Sequence, residues 1–254
     1  MNCVAPECMI PDWSAPPNVG ALQTTRRGGV SQGPYASLNL GDHVGDHPEH
    51  VTANRRLLQG RMAGAPLWLR QVHGTTVLDA EVALCNTEAD AAVARTPGRV
   101  CVVMTADCLP VLLCDRGGTV VAAAHAGWRS LAAGILEHTV ARMRCPADEL
   151  MAWLGPAIGP RSFEVGEDVR AAFLDSDAGA GEGFVSAGPG KWLANLPLLA
   201  KRRLSRAGVQ SVYGGSWCTV EEEDRFFSFR RDGVTGRMGS FIWLRSSLEP
   251  APGR

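Results

Sequence analysis

A predicted hairpin in the middle of the chain constrains its fold more than any other stretch. The runs 108–114 and 119–125 are apolar at nearly every position, and they flank the sequence Asp-Arg-Gly-Gly at 115–118. Two apolar runs around such a glycine-containing turn predict a β-hairpin. Strands that are apolar on successive residues bury both of their faces. We therefore expect a central sheet that is covered on each side.

Side chains that commonly bind metals lie at the ends of these buried runs. An apolar run at 100–105 leads into Asp107 and Cys108, and the second strand of the hairpin ends in His125. A further histidine, His73, precedes a glycine where another predicted strand turns. Glycine, proline or aspartate beside each of these residues indicates a turn at the edge of a sheet. The pattern predicts that His73, Cys108 and His125 meet as a three-ligand metal site.

The same three residues are compatible with other chemistry. Catalytic zinc is commonly held by three protein ligands, with a fourth position open to water or substrate. The spacings of 35 and 17 residues match no local zinc-finger pattern. Without a metal, Cys108 is a candidate nucleophile with His125 or His73 as its base. Two histidines and one cysteine also describe electron-transfer copper. In the remaining alternative the three residues are unrelated and Cys108 is merely packed.

Composition and missing motifs exclude several classes of function. The formal net charge of −1 gives no general field that would attract nucleic acid or acidic lipid. The sequence has no P-loop, and its eight cysteines include no Cys-x-x-Cys pair. No apolar stretch approaches the ~18 residues of a membrane span, and the first residues do not resemble a secretory signal. We expect a cytoplasmic protein with reduced thiols.

The remaining pattern predicts one compact domain over residues 1–254, in which 1–18 form a loosely ordered lead-in. Alternating apolar patterns and turn residues then predict the other elements in chain order. We expect a strand near 19–25, a long ordered loop at 31–50, helices at 50–62, 130–143, 169–174 and 193–209, a flexible segment at 175–191, and two closing strands within 226–244.

Seven short sequences resemble one known family. They are GPYASLNLGDHVGD, QVHG, TADCLPVLL, AAAHAGWR, GPAIGP, FEVGEDV and FFSFRRDGVTGRM, and together they run from about 31 to 244. HAGWR and TADC in combination with QVHG are highly specific. On these motifs the chain is identified as a member of the YfiH-type proteins. That family is variously described as laccase-domain polyphenol oxidases, purine nucleoside phosphorylases and peptidoglycan editing factors.

The resemblance implies a fold, a metal and a reaction. The implied fold is α/β, a single domain of layered mixed β-sheets flanked by helices. The implied metal is Zn2+ held by His73, Cys108 and His125. The implied activity is phosphorolysis of adenosine, inosine, guanosine or methylthioadenosine, with an adenosine deaminase side activity. Nucleoside and phosphate are then the partners of the protein, and we expect neither nucleic acid nor membrane as a partner and favour a monomer.

Two departures from the family pattern concern the substrate rather than the metal. The family often has cysteines after GPAIGP, where this chain has Arg161 and Ser162, and often an aspartate near Asn195. The alternative functions are therefore kept open. One is a Cys/His amidase or hydrolase that edits peptidoglycan precursors, and the other is a copper polyphenol oxidase.

Candidate roles extend beyond the three ligands. Phosphorolysis needs cationic groups that hold phosphate and stabilise developing charge. Arg129 is the first candidate for this role and Arg230 the second. Asn39 and His43 are candidates for contacts to the sugar or the base. Asp107, next to the cysteine, is a candidate to orient a histidine or to accept a proton, and a role in the turn is the alternative.

Overall fold

The computed structural model describes residues 5–246 of the chain. The strands within these residues are β1 (Cys8–Met9), β2 (Val19–Thr24), β3 (Pro66–Leu67), β4 (Val77–Asp79), β5 (Ala91–Ala94), β6 (Val100–Thr105), β7 (Leu109–Asp115), β8 (Val121–Ala126), β9 (Leu150–Leu154), β10 (Glu164–Gly166), β11 (Phe184–Gly188), β12 (Lys191–Ala194), β13 (Ser211–Gly214) and β14 (Met238–Leu244). The α-helices are α1 (Pro48–Leu57), α2 (Trp128–Ala132), α3 (Ile135–Met143), α4 (Glu167–Leu174), α5 (Leu196–Arg206) and α6 (Phe229–Asp232). Short 3₁₀ helices lie at Gly33–Tyr35, Ala147–Glu149 and Ala178–Gly183.

The predicted hairpin is the centre of a six-stranded sheet with the order β13-β9-β7-β8-β5-β4. Strands β7 and β8 pair antiparallel, from Leu109 opposite Ala126 to Cys114 opposite Val121. The turn between them is closed by Asp115, whose carboxylate accepts hydrogen bonds from the backbone N–H groups of Thr119 and Val120, just before β8. The hairpin prediction is confirmed.

Successive residues of this hairpin point into two different cores. Val111 and Leu113 pack on the side of helices α3, α4 and α5, whereas Leu112 and Cys114 pack toward a second sheet. All four side chains are fully buried. Burial of one such aliphatic side chain contributes about 1.5–3 kcal/mol. The continuous apolar pattern therefore reflects a strand pair that is covered on both faces, as the sequence predicts.

The second sheet has five strands in the order β1-β2-β14-β6-β3. Its inner face supplies Ala21, Val103 and Ile242 to the core that it shares with the hairpin. Its outer face packs against Leu58, which follows α1, and against Leu38 in the loop before that helix. The layers thus run from helix through two sheets to helices, and the predicted α/β fold of layered mixed sheets is confirmed.

Three local predictions differ from the structure. The expected helix 130–143 is divided into α2 and α3, because Gly134 has a left-handed φ of 95°. The segment 175–191, expected to be flexible, contains a 3₁₀ helix and the strand β11 of a small third sheet ordered β10-β12-β11. Its glycine-rich sequence carries few apolar side chains from which a period could be read. Within 226–244, α6 replaces the first of the two expected strands.

The segment expected to be a loosely ordered lead-in contains a short strand. Residues 1–4 of the expected lead-in lie outside the described residues, and Cys8–Met9 pair antiparallel with β2. Between residues 5 and 246, none of the helices is long and apolar enough to cross a membrane.

The stability of the fold should depend on the core between the two large sheets. We expect Leu112→Ala to lower the free energy of unfolding by about 2–5 kcal/mol, because it removes buried methyl groups and leaves a cavity. Urea denaturation followed by circular dichroism measures this change. Leu84→Ala is the matched control, since Leu84 is 77% exposed and its loss should change the stability by less than about 0.5 kcal/mol. Equal effects of the two substitutions would contradict this description of the core.

Candidate metal centre

Three separate segments bring a histidine, a cysteine and a second histidine together. Cys108 lies in the turn between β6 and β7, His125 lies near the end of β8, and His73 lies in the loop between β3 and β4. One donor atom from each residue lies within 4.8 Å of the donors of the other two. The Sγ atom of Cys108 is 3.6 Å from Nε2 of His73, and the two imidazole centroids are 4.7 Å apart. The group can therefore bind a metal ion.

The distance between two of the donor atoms matches that of a tetrahedral site. Zinc lies about 2.3 Å from a thiolate and about 2.0 Å from an imidazole nitrogen, so tetrahedral geometry places these donors about 3.5 Å apart. The observed distance of 3.6 Å between the sulfur and the His73 nitrogen agrees with that value. The chemistry of the donors and this sulfur–nitrogen distance fit a small divalent ion.

Gly127 lies against the metal-binding group, which leaves no space for a side chain at this position. A Cβ atom at this position would lie 2.9 Å from Cδ2 of His73 and 3.0 Å from Sγ of Cys108. Its backbone has φ −57° and ψ 154°, which other residues also adopt. The glycine is therefore required by space at the donors and not by the conformation of the backbone.

The buried carboxylate of Asp90 positions both histidines. Its Oδ1 accepts a hydrogen bond from Nδ1 of His125 at 2.8 Å and from the backbone N–H of His73 at 3.0 Å. Its Oδ2 accepts from the backbone N–H groups of Val72 and Gly74. The bond to Nδ1 leaves Nε2 of His125 as the free donor atom, the usual arrangement around a metal-binding histidine. The backbone bonds hold His73 at a left-handed φ of 59°.

The charges in this cluster favour the metal-binding form of the cysteine. Burial alone would raise the pKa of the Cys108 thiol, but His125 and His73 lower that pKa to about 6. Burial would likewise lower the pKa of His125, but the Cys108 sulfur and Asp90 raise it to about 9. The thiolate is the form that binds metal ions and acts as a nucleophile. The sulfur is therefore prepared for either role.

Asp107 lies beside the cysteine but is engaged by the protein. Its Oδ1 accepts a hydrogen bond from the hydroxyl of Thr219, and its Oδ2 accepts from the backbone N–H of Arg230, both at 2.6 Å. The residue has a left-handed φ of 90°. Asp107 thus links the turn that contains Cys108 with the beginning of α6.

The cluster opens into a cavity of about 500 Å³. Side chains of three kinds line it in addition to the metal-binding group. Apolar and aromatic surface comes from Ile158, Phe163, Trp128 and Phe229, positive charge comes from Arg129, Arg230 and Arg237, and His43, Gln71, Met104, Thr105, Ala106 and Asp107 complete the lining. Cavities of this size and mixed character commonly bind small molecules.

The residues predicted to bind substrate occupy different positions in this cavity. Arg129 is exposed, and its guanidinium lies 4.4 Å from the centroid of the Trp128 ring. Arg230 is also exposed, and its Nη1 donates to the carbonyl of Glu164. His43 lines the cavity with a largely exposed side chain. The structure thus places both predicted arginines and His43 around the metal-binding group.

Asn39, also predicted to bind substrate, lies outside the cavity. Its side chain is fully buried and does not line the cavity. The amide nitrogen donates to Asp46 and to the carbonyl of Gly41, and the amide oxygen accepts the backbone N–H groups of Gly41 and Arg237. Asn39 therefore organises the loop before α1 and holds the backbone of Arg237.

Two further residues of the site were not selected from the sequence. Gln71 pairs with both backbone groups of Met104 and so attaches the loop of His73 to the end of β6. Arg237 lines the cavity from the segment just before β14. Asp90, whose carboxylate holds both histidines, also belongs to the site. A signal for Asp90 was present, since it immediately precedes a fully buried strand.

The departures from the family pattern lie outside this cavity. Arg161 forms an ion pair with Glu221, and the side chain of Asn195 caps the first turn of α5. Both residues line a separate cavity beside Cys218. They are thus not part of the surface around the metal-binding group.

The role of Asp90 can be tested without a large change of shape. We expect Asp90→Asn to weaken metal binding about 10- to 100-fold, because an amide cannot accept from all four donors and His125 loses its orientation. Competition with a chromophoric chelator measures the affinity for zinc. Glu88→Gln is the control, since Glu88 forms an exposed ion pair with Arg70. Unchanged affinity in folded Asp90→Asn protein would show that the carboxylate does not position the ligands.

The space at Gly127 gives a second test of the site. We expect Gly127→Ala to weaken metal binding on the order of tenfold, since the new methyl group displaces His73 or Cys108 from its position. The melting temperature should change little because alanine accepts this backbone conformation. Gly181→Ala is the control, as a Cβ there would meet its nearest neighbour at 3.7 Å. Normal metal affinity after the first substitution would mean that the donors are arranged differently.

The chain is similar to known proteins over nearly its whole length. Residues 20–245 match the model of the family described as "Multi-copper polyphenol oxidoreductase laccase". A purine nucleoside phosphorylase of Escherichia coli is 53% identical over 239 residues, covering 93% of this chain and 98% of that protein. One from Pseudomonas aeruginosa is 54% identical over 238 residues, with 93% and 98% covered. The crystal structure of a Neisseria meningitidis protein superimposes with a TM-score of 0.93 at 55% identity, covering 94% of this chain and 99% of that one.

Proposed function

This chain belongs to the family described as multi-copper polyphenol oxidoreductase laccases, and we propose that it is a zinc-dependent purine nucleoside phosphorylase. The observation that carries the proposal is the likeness to relatives named purine nucleoside phosphorylase, which are 53% and 54% identical over nearly their whole length. The cavity supports it, because it combines a metal-binding group with guanidinium groups and aromatic surface.

The apolar side of the cavity suits a purine base. Ile158 and Phe163 are buried there, and Phe229 presents an aromatic ring that is 58% exposed. An exposed aromatic side chain beside a cavity provides a face on which a planar base can stack. We assign the base to this side, and His43, on the polar lining, to the sugar.

Phosphorolysis requires phosphate to be held against C1′ of the ribose while the base departs. The guanidinium groups of Arg129 and Arg230 supply positive charge for the phosphate, as the sequence predicts. Asp107 holds the turn of Cys108 and the start of α6, so we assign it a positioning role in place of proton transfer. A zinc ion held by His73, Cys108 and His125 would supply Lewis-acid polarisation of a bound hydroxyl or water.

The proposed substrates are adenosine, inosine, guanosine and methylthioadenosine, with adenosine deamination as a side activity. The two reactions on adenosine are separable by their need for phosphate. Phosphorolysis forms ribose 1-phosphate and free adenine only when phosphate is present. Deamination releases ammonia from adenosine without it.

A Cys/His amidase that acts on peptidoglycan precursors is the second candidate. The observation in its favour is the 3.6 Å distance between Sγ of Cys108 and Nε2 of His73, and the neighbouring imidazoles lower the pKa of the thiol to about 6. A thiolate beside a histidine is the arrangement of thiol hydrolases. Full activity of metal-free protein on such an amide, together with no activity on nucleosides, would favour this candidate.

Copper is the weaker candidate for the metal. Electron-transfer copper sites with two histidines and one cysteine add a long axial ligand, often methionine. Met104 lines the cavity, but its sulfur faces Nη2 of Arg55 at 3.9 Å. A multicopper oxidase also needs several metal sites. Residues 5–246 hold one group of three or more candidate metal donors.

Metal analysis joined to a nucleoside assay tests the proposal. We expect about one zinc ion per chain, from the single three-donor group. Inosine should be converted to hypoxanthine and ribose 1-phosphate only with phosphate. His73→Ala should lose both the metal and the activity, whereas His138→Ala, at an exposed position on α3, should keep both. A zinc-loaded protein that converts none of the four nucleosides would refute the proposal.

A further inference from the structure

The three arginines of the cavity are held in different ways. Arg129 and Arg230 are exposed, whereas Arg237 is only partly exposed. The aliphatic part of Arg237 packs closely against Gly41, where a Cβ atom would lie 2.8 Å from its Cγ. Its backbone N–H donates to Oδ1 of Asn39 at 2.9 Å. The backbone and the aliphatic part of Arg237 are thus held by the loop before α1.

The guanidinium of Arg237 is also fixed, but through one nitrogen only. Nη1 donates to the carbonyls of Thr235 and Gly236, at 3.1 and 3.0 Å. Within residues 5–246 the side-chain hydrogen bonds of Arg237 all come from Nη1, none from Nε or Nη2, and the side chain lines the cavity. These two nitrogens form one edge of the planar group and point in the same direction. The edge is therefore held in place without an acceptor from residues 5–246.

Elsewhere in this chain the same edge binds carboxylates. Nε and Nη2 of Arg161 donate to Glu221, those of Arg202 donate to Asp177, and those of Arg231 donate to Asp232. Two parallel N–H groups fit the two oxygens of a carboxylate or a phosphate. Arg237 presents this edge without an acidic partner, since no ion pair joins it to another residue in 5–246.

The positive charge of Arg237 is partly buried and has no ion-pair partner among residues 5–246. Burial lowers the pKa of its guanidinium, and the negative charges of Cys108 and Asp107 act in the opposite direction. An arginine nevertheless stays charged in proteins. A partly buried positive charge without a partner is costly, and an incoming anion would remove that cost. Arg237 lines the same cavity as His73, Cys108 and His125, so an anion on its open edge would lie in the cavity of the metal-binding group.

We propose that the open edge of Arg237 is the phosphate anchor of this cavity, and that Asn39 and Gly41 position it. The assignment of inorganic phosphate as the ligand rests on the proposed phosphorylase function. Arg129 and Arg230, both exposed, then contribute general positive charge at less fixed positions. The recognised chemistry is a tetrahedral oxyanion bound through two oxygens to a preformed pair of N–H groups.

Steady-state kinetics with inosine and phosphate separate this anchor from the other arginines. We expect Arg237→Met to raise KM for phosphate about 10- to 100-fold, the factor for losing one or two charge-assisted hydrogen bonds. KM for inosine should change less than about threefold, because the base and sugar contacts remain. Arg237→Lys should keep most of the defect, since an ammonium lacks the paired N–H groups. Arg129→Met and Arg230→Met should raise KM for phosphate less than Arg237→Met.

Two positioning variants leave the guanidinium in place. Gly41→Ala places a methyl group against the stem of Arg237, and Asn39→Ala removes the acceptor of its backbone N–H. Both should raise KM for phosphate more than KM for inosine, whereas a general loss of structure would affect both alike. Arg116→Met is the control, because Arg116 is exposed and donates to Ser211, a residue that does not line the cavity.

Binding of inorganic phosphate in the absence of nucleoside, measured by ³¹P line broadening, distinguishes the phosphate anchor from the proposed function. A wild-type protein without phosphorolysis refutes the proposed function, and loss of phosphate binding in Arg237→Met would still support the anchor. A wild-type enzyme with phosphorolysis and an unchanged phosphate KM in Arg237→Met would overturn the anchor. The same holds if Arg129→Met or Arg230→Met has the larger effect.

Discussion

The metal centre depends on the hydrogen bonds that the carboxylate of Asp90 accepts. This carboxylate is fully buried at the start of β5 and receives four hydrogen bonds, from Nδ1 of His125 and from three successive backbone N–H groups at 72–74. A buried carboxylate is tolerated only when its oxygens are satisfied. Because these donors come from two segments, satisfying the carboxylate places His73 and His125 together. Its position is in turn set by the pairing of β5 with β8.

Much of this architecture could be predicted from the sequence. The hairpin of β7 and β8 was predicted because continuous apolar runs around a glycine-containing turn have few other solutions. His73, Cys108 and His125 were grouped because each ends an apolar run, and the family motifs supplied the same set. The three residues lie together because strand ends at one sheet edge converge, even when 35 residues separate His73 from Cys108.

The remaining features depend on tertiary contacts that no local pattern contains. The 3₁₀ helix at Ala178–Gly183 is held by Asp177, which caps it and binds Arg202 of α5. The polar loop sequence around Asn39 predicts a substrate contact, because polar loop residues often line sites. The partners of Asn39, however, include Arg237, which lies 198 residues later in the chain. A hydrogen bond between the two ends of the chain cannot be read from either end alone.

Arg237 illustrates why an anion site is harder to find in a sequence than a metal site. Metal ligands are recognised by their kind, but an arginine becomes an anion site only when nearby acids do not neutralise it. The chain is rich in arginines, and those at 161, 202 and 231 use the same edge to bind carboxylates. At Arg237 two backbone carbonyls fix the guanidinium, and a carbonyl carries no net charge. The geometry is therefore fixed while the positive charge remains available to a ligand.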